Sequence, residues 1–217
     1  MNTPYSINLI AVLLSVSLIL AYHWFLRMRV KKDPAYTIQA VLNIGRSAWV
    51  TRMMDGKEGI LAVQTLRNAI MGATFFASTA VVLIVGTLTL TAQADKLAEA
   101  WHALSPLNDV DQRLWLTKLL VLLIDLLYAF VCFAQTIRLL SHVGFLVSVP
   151  VEKVTPTSVS HLLIQAGRYH TRGMRCYYYA APLLFWLFGP VFLVVATCGL
   201  VICLYYLDRS PTQEQSM

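Results

Sequence analysis

Residues 119–134 read LLVLLIDLLYAFVCFA, an apolar run that contains a single charged side chain, Asp125. Together with its flanks, the run covers residues 114–137, which is more than the ~20 residues that an α-helix needs to cross a hydrocarbon core. A carboxylate at this depth costs at least about 2.5–3.5 kcal/mol on insertion scales, so it faces a partner, a cavity or a pathway. The run therefore predicts a transmembrane helix, with Asp125 as a candidate functional residue.

Three further apolar segments have the same length and character. They cover residues 7–26, 69–91 and 180–207, and together with residues 114–137 they explain why the chain is 58% hydrophobic and only 13% charged. In a typical soluble protein about a quarter of the residues are charged. We predict an all-α fold in which residues 1–217 form a single polytopic membrane domain, a bundle of four transmembrane helices.

The positively charged residues indicate how this bundle is oriented. Most of them lie in the connections that join the first span to the second and the third to the fourth, and they include Arg27, Arg29, Lys31, Lys32, Arg46, Arg52, Lys57, Arg67, Lys153, Arg168, Arg172 and Arg175. Under the positive-inside rule both connections are cytoplasmic, which places both termini outside the cell (inner) membrane. The net charge of +6 is then explained by anionic lipid head groups, and nucleic acid is not an expected partner.

Two amphipathic helices are predicted within these basic connections. Apolar residues recur at three- and four-residue steps over residues 37–54, and a second helix is expected to start after Pro156. In the outer connection, Leu97, Trp101 and Leu104 form the apolar stripe of a small surface helix. Gly189-Pro190 lies inside the fourth span, where a proline removes a helix hydrogen bond, so we expect a kink or hinge there.

Asp125 has three possible roles. By helix rise it lies near the middle of its span, where the other spans offer only the hydroxyl groups of Ser15, Ser17, Ser78, Thr79 and Thr197. A neutral Asp125 would bond one of these hydroxyls and hold two helices together. Alternatively, Asp125 is a proton or cation site, or a polar contact between subunits.

A second group of candidate residues lies at the cytoplasmic ends of the helices. It consists of His23, Gln64, Arg67, Asn68, Gln135, Arg138, His142 and Arg172. These side chains either end their helices and reach toward the interface, or they form a site for an anion, a lipid head group or a nucleotide-like ligand around Arg67, Arg138 and Arg172. A haem held between His23 and His142 is a further alternative, whereas no residue spacing indicates a metal site.

Several short motifs resemble those of a known family. They are Tyr22-His23, Asp33-Pro34, Arg46-x-x-Trp49, Gln64-x-x-Arg67-Asn68, Arg138-x-x-x-His142, Gly173-x-Arg175-x-Tyr177-Tyr178 and Pro182-x-x-x-Trp186-x-x-Gly189-Pro190. Over residues 22–207 the chain resembles a bacterial four-helix integral membrane family of unknown function. The resemblance implies a four-span protein of the cell membrane, and it supplies no activity, ligand or catalytic residues.

The sequence contains no signature of an enzyme. A glycine-rich phosphate loop, a G-x-S-x-G elbow and an H-E-x-x-H helix are all absent. We therefore expect a non-enzymatic protein that works in a homo- or hetero-oligomeric membrane assembly, with the polar cytoplasmic layer binding an anionic group or lipid. The first alternative is a small oligomeric channel or transporter that uses Asp125 as a proton or cation site, and the second is a haem-binding redox subunit.

Overall fold

Helices account for nearly all of the described chain. The computed structural model describes residues 3–33, 36–56, 58–93 and 112–209, and this part of the chain contains six α-helices and no strand. The helices are α1 (Thr3–Lys32), α2 (Ile38–Asp55), α3 (Gly59–Ala92), α4 (Gln112–Leu146), α5 (Pro156–Phe188) and α6 (Pro190–Asp208). The all-α prediction is confirmed. The surface helix predicted around Leu97, Trp101 and Leu104 lies outside the described residues.

Four of the helices are long and apolar enough to cross a membrane. They contain the segments Tyr5–Lys32, Gly59–Ala92, Arg113–Leu146 and Pro190–Asp208. Much of their surface carries large apolar side chains that no other helix covers, for example Ile10 on α1, Val82 on α3 and Ile124 on α4. Such a surface is suited to contact with lipid tails. The chain is therefore a multi-pass membrane protein with four membrane-length helices, as predicted.

The fifth helix joins two segments that the sequence presented as separate. α5 starts at Pro156, where the Thr155 hydroxyl accepts a hydrogen bond from the Ser158 N–H at 3.4 Å. It then runs without a break to Phe188 and packs antiparallel to α4, with Val159 beside Val143 at one end. The predicted second amphipathic helix and the first residues of the predicted fourth span, residues 180–188, therefore belong to one helix.

Gly189 reverses the chain between α5 and α6. Its φ of 149° is a conformation that a side chain would disfavour, and Pro190 then occupies the first turn of α6. Beyond the turn, α6 runs back beside α1, with which it shares contacts from Leu193 to Asp208. The prediction of one span over residues 180–207 is wrong, and the expected kink is instead a helical hairpin. Hydropathy could not reveal the turn because the residues on both sides of it are apolar.

The direction of α6 also corrects the predicted placement of the termini. Trp186 donates to Asn8 near the start of α1 at 3.0 Å, whereas Tyr22, near the end of α1, lies 2.8 Å from Asp208 at the end of α6. α1 and α6 are therefore parallel. The start of α1 and the end of α6 lie at opposite ends of the bundle, so the placement of both termini outside does not hold. The reason is the additional traverse made by α5.

The last turn of α1, which carries Arg29, Lys31 and Lys32, marks what we call the basic end of the bundle. At this end α2 covers α5, as the predicted amphipathic pattern over residues 37–54 requires. Its buried face consists of Val50, Met53 and Met54, and these pack in one apolar cluster with residues of α3, α4 and α5. The cluster fixes α2 across the three longest helices.

Candidate functional site

A polar cluster joins α1, α5 and α6 near the basic end. His23 on α1 directs Nδ1 at the Ile19 carbonyl oxygen, 2.8 Å away, and Nε2 at Nη1 of Arg175, 2.9 Å away. Because a carbonyl oxygen only accepts, we assign the ring hydrogen to Nδ1 and let Nε2 accept from the guanidinium. The Tyr179 hydroxyl lies 3.2 Å from the same Nε2. His23 is thus held in one tautomer.

Arg175 also forms an ion pair with Asp208 at the end of α6. Its Nη2 lies 3.0 Å from Oδ2 and 3.2 Å from Oδ1 of the carboxylate, and the two side chains are 22% and 14% exposed. The Tyr22 hydroxyl lies 2.8 Å from Oδ2 and 2.9 Å from the Leu204 carbonyl oxygen. Charge-assisted hydrogen bonds therefore connect helices that are distant in sequence.

A cavity of about 380 Å³ opens beside this ion pair, and we call it the basic cavity. Its lining comes from α1, from the start of α2, and from the paired Arg175 and Asp208. Three of its lining residues are cations, Arg27, Lys31 and Arg175, whereas Asp208 is its one carboxylate among the described residues. Since Arg175 neutralises Asp208, the charges of Arg27 and Lys31 leave the cavity with a net charge of +2.

Of the polar layer predicted at the helix ends, the structure brings only His23 into this cluster. The other predicted residues are exposed, except Gln135, which is half-buried. The exposed ones are Gln64, Arg67 and Asn68 on α3, Arg138 and His142 on α4, and Arg172 on α5. Gly173, next to Arg172, lies against Phe133 of α4, whereas Leu66, next to Arg67, packs with Leu140. The predicted grouping of Arg67, Arg138 and Arg172 is therefore not assembled within one chain.

The two histidines that could have held a haem lie at different levels of the bundle. His23 contacts Arg175, whereas His142 is flanked by Leu140 and Val143, which pack with Leu163 and Val159. Arg175 and Leu163 are 12 residues apart on α5, a separation of about 18 Å by helix rise. The predicted haem site needs two facing imidazoles, as in bis-histidine ligation, and these two rings do not face each other.

Asp125 lies half-buried on α4 beside the Cys176 thiol of α5, and its Oδ2 is buried without a hydrogen-bond partner among the described residues. The hydroxyls expected to bind it bond within their own helices instead: Ser17 donates to Leu13, Thr79 to Phe75 and Thr197 to Leu193. The buried Ser15 hydroxyl also lacks a partner in the described structure. In the part of the chain that the structure describes, the predicted hydroxyl contact with Asp125 is therefore not formed.

The sequence-based list missed the residues that complete the cluster, namely Tyr22, Arg175, Tyr179 and Asp208. In the sequence, Arg175 is one cation of a basic connection and part of a family-like motif, whereas Asp208 lies just past the predicted span 180–207. Two of the family-like motifs carried the signal, because Tyr22 and Arg175 belong to them. Gly173 of the second motif is required by packing, since a Cβ there would lie 2.8 Å from the Phe133 ring.

A second polar contact, also missed, lies at the opposite end of the bundle. Lys118 is 6% exposed, and its Nζ donates to the Trp186 carbonyl oxygen at 2.9 Å. It also lies 5.4 Å from the centroid of the Trp186 ring. A cation at the carboxyl end of a helix is favoured by the helix dipole, so Lys118 stabilises the end of α5 just before the turn at Gly189.

Comparison with known protein families identifies the family to which the chain belongs. The family model described as "Protein of unknown function, DUF599" matches residues 10–212, which is almost the entire sequence. The chain belongs to the DUF599 family. Comparisons of this DUF599 protein with curated proteins and with solved structures give no match. Membership of DUF599 assigns no activity, so the function is inferred from the geometry above.

Proposed function

We propose that this DUF599 protein is a non-enzymatic protein of the cell (inner) membrane that binds an anionic group in the basic cavity, as part of a membrane assembly. The observation that carries the proposal is the net charge of +2 on a cavity of about 380 Å³. The anion is a phosphate, either free or in a lipid head group, because guanidinium and ammonium groups together are suited to its oxygens.

The geometry of Arg175 favours this role. Its guanidinium is fixed by His23 on one side and by Asp208 on the other, so its orientation in the cavity wall is set before a ligand arrives. Arg27 and Lys31 are exposed side chains on consecutive turns of α1, and both line the cavity. Pre-oriented and flexible cations together let a phosphate be bound with little reorganisation of the protein.

A binding experiment tests the basic cavity directly. The double variant Arg27→Gln/Lys31→Gln should bind inorganic phosphate and phosphatidylglycerol about tenfold more weakly, since each lost charge-assisted bond contributes ~1.5–3 kcal/mol before solvent screening. The control Lys32→Gln removes an exposed cation from the same helix outside the cavity lining, and it should bind as the parent does. Calorimetry with phosphate and native mass spectrometry with the lipid separate the two sources, and equal binding in all variants would contradict the proposal.

The assembly is supported by α3. Gln64, Arg67 and Asn68 share one face of this membrane-length helix and are exposed, next to large apolar side chains such as Val63 and Met71. Polar groups on such a face are stabilised when a neighbouring subunit supplies hydrogen-bond partners. Purification in a mild detergent should recover a defined homo-oligomer or a stoichiometric partner chain. A monodisperse monomer under these conditions would argue against an assembly.

One observation favours a second candidate function, proton or cation transfer at Asp125. The Oδ2 atom of Asp125 is buried without a hydrogen-bond partner among the described residues. A buried carboxylate of this kind on a membrane-length helix is a candidate proton or cation site. In proteoliposomes, the flux of protons or cations should fall at least about tenfold with Asp125→Asn. It should stay unchanged with the control Asp55→Asn, which alters an exposed carboxylate on α2. Equal flux in both variants would remove this candidate.

A further inference from the structure

A groove separate from the basic cavity lies where α2 crosses the other helices. It consists of two adjoining cavities of about 340 and 290 Å³, which share Arg46, Ala69, Leu140 and Leu163. We call it the α2 groove. Most of its lining is apolar, and Arg46 and His170 are the titratable residues along it.

Arg46 is a cation placed on the wall of this groove without a counter-ion. Its guanidinium lies against Gly167 of α5, where a Cβ would come within 2.4 Å of Cζ and Nη1. It donates to Asn43 at 3.0 Å, and no carboxylate in the described part of the chain pairs with it. Burial lowers the pKa of Arg46, yet a guanidinium stays protonated in proteins. Several of its N–H groups are thus available to an anion.

The groove opens toward the surface of a membrane-length helix. Ala69 and Gly72 of α3 line it and are exposed, and a Cβ added at Gly72 would meet nothing within 4 Å. Met71 and Phe75 on the outer surface of α3 are large, apolar and exposed. A chain of methylene groups can therefore pass from the lipid phase into the groove, while amphipathic α2 keeps Arg46 at head-group depth.

We propose that the α2 groove binds one phospholipid molecule, with its phosphate on Arg46 and an acyl chain between α3 and α5. The charge matches the phosphate and the apolar lining matches the chain. The Thr136 hydroxyl in the lining is already bonded to the Cys132 and Ala166 carbonyl oxygens. The groove thus offers few bonds to a polar ligand, and a free anion would leave its apolar part unfilled.

Native mass spectrometry of the full-length protein, with dioleoylphosphatidylglycerol added in detergent, tests the site. Arg46→Gln should weaken lipid binding about tenfold, the size expected for a desolvated charge-assisted contact. Arg52→Gln is the matched control, because Arg52 is an exposed cation on the same helix. If the two variants retain lipid equally, the proposal is overturned.

A second variant keeps the test decisive even if Arg46→Gln fails to fold. Gly72→Leu places a side chain in the open part of the groove and leaves the charge of Arg46 in place. It should weaken the long-chain lipid about tenfold and leave binding of a dibutanoyl lipid unchanged. Unchanged long-chain binding, or inorganic phosphate competing as strongly as the lipid, would overturn the proposal. Arg27 and Lys31 do not line this groove. The outcome of the Gly72→Leu test is therefore independent of the proposal for the basic cavity.

Discussion

Arg175 shows how one side chain connects three helices. Nη1 contacts His23 of α1, and Nη2 contacts Asp208 at the end of α6. Removing the guanidinium leaves His23 and Asp208 half-buried without this hydrogen-bond partner. The loss in the free energy of unfolding then includes the cost of keeping these two polar groups away from water. At the same scale, Lys118 and Trp186 hold the opposite end of the bundle. Single contacts of this kind fix which helices are neighbours.

The Arg175–Asp208 contact predicts a measurable coupling energy. Arg175→Met should lower the free energy of unfolding by about 1–3 kcal/mol, since a partly buried charge-assisted contact is lost. In a double-mutant cycle with Asp208→Asn, the two effects should differ from additivity by about 1 kcal/mol or more. Arg172→Met, an exposed cation on the same helix, serves as the control. Strict additivity, measured by unfolding in mixed micelles, would contradict the contact.

Lys118 gives a prediction for the other end of the bundle. Lys118→Met removes the bond to the Trp186 carbonyl oxygen and should destabilise the protein by about 1–3 kcal/mol. Lys153→Met removes an exposed charge and should change stability by less than about 0.5 kcal/mol. Thermal unfolding in detergent measures both. The assignment fails if Lys118→Met is as stable as the parent.

At the scale of elements, the turn between α5 and α6 has the largest effect on the architecture. Gly189 at a φ of 149° converts what looks like one bent span into two antiparallel helices. The rest of the secondary structure agrees with sequence-based prediction, since residues 37–54 closely match α2 and the four apolar runs overlap membrane-length helices. The hairpin could not be predicted in the same way, because Gly-Pro is compatible with a kink as well as with a reversal.

The conformation of Gly189 makes a substitution there costly. Gly189→Ala should destabilise the hairpin by about 1–3 kcal/mol, because a Cβ is strained at this backbone angle. Gly199→Ala, in the middle of α6 with open space around it, should be neutral or stabilise by up to about 1 kcal/mol. Comparing the two melting temperatures isolates the effect of the turn. Equal melting temperatures would indicate that the chain does not reverse there.

At the scale of the whole molecule, α5 changes how the chain is threaded. Its first half is too polar for it to be one of the membrane-length helices, yet it accompanies α4 from Val143 to the level of Leu119. α6 consequently returns to the basic end, where the backbone of Arg209 forms an isolated antiparallel β-bridge with Thr37. Arg209 therefore adds one more cation to the basic end, which is the distribution that the positive-inside rule favours.

The parallel arrangement of α1 and α6 predicts that the two ends of the described chain lie on opposite sides of the membrane. A reporter before Tyr5 and a reporter after Arg209 should be accessible from opposite sides of the membrane, because α1 and α6 are parallel. Reporters of complementary activity, such as a phosphatase active only outside and a fluorescent protein active only inside, make the measurement. Reporters on the same side would restore the four-span arrangement and contradict the hairpin.

The candidate site was only partly predictable. The sequence predicts His23 as a candidate, but its contacts with Arg175 and Tyr179 connect residues that are 152 and 156 positions away in the chain. The predicted layer around Arg67 and Arg138 assumed that all helices end at one level. In the structure, α3 and α4 continue past the level of His23 toward the basic end, so their polar residues lie elsewhere.

Hydropathy is a local and additive property of a chain, and for this reason the amino-acid sequence alone established an all-α membrane protein with four membrane-length helices and an amphipathic α2. The reversal at Gly189, the parallel pairing of α1 with α6 and the cation-rich basic cavity depend on contacts between distant segments. Those contacts form only when packing brings specific side chains together, as when Tyr22 meets Asp208. They were therefore visible only in the folded arrangement of the helices.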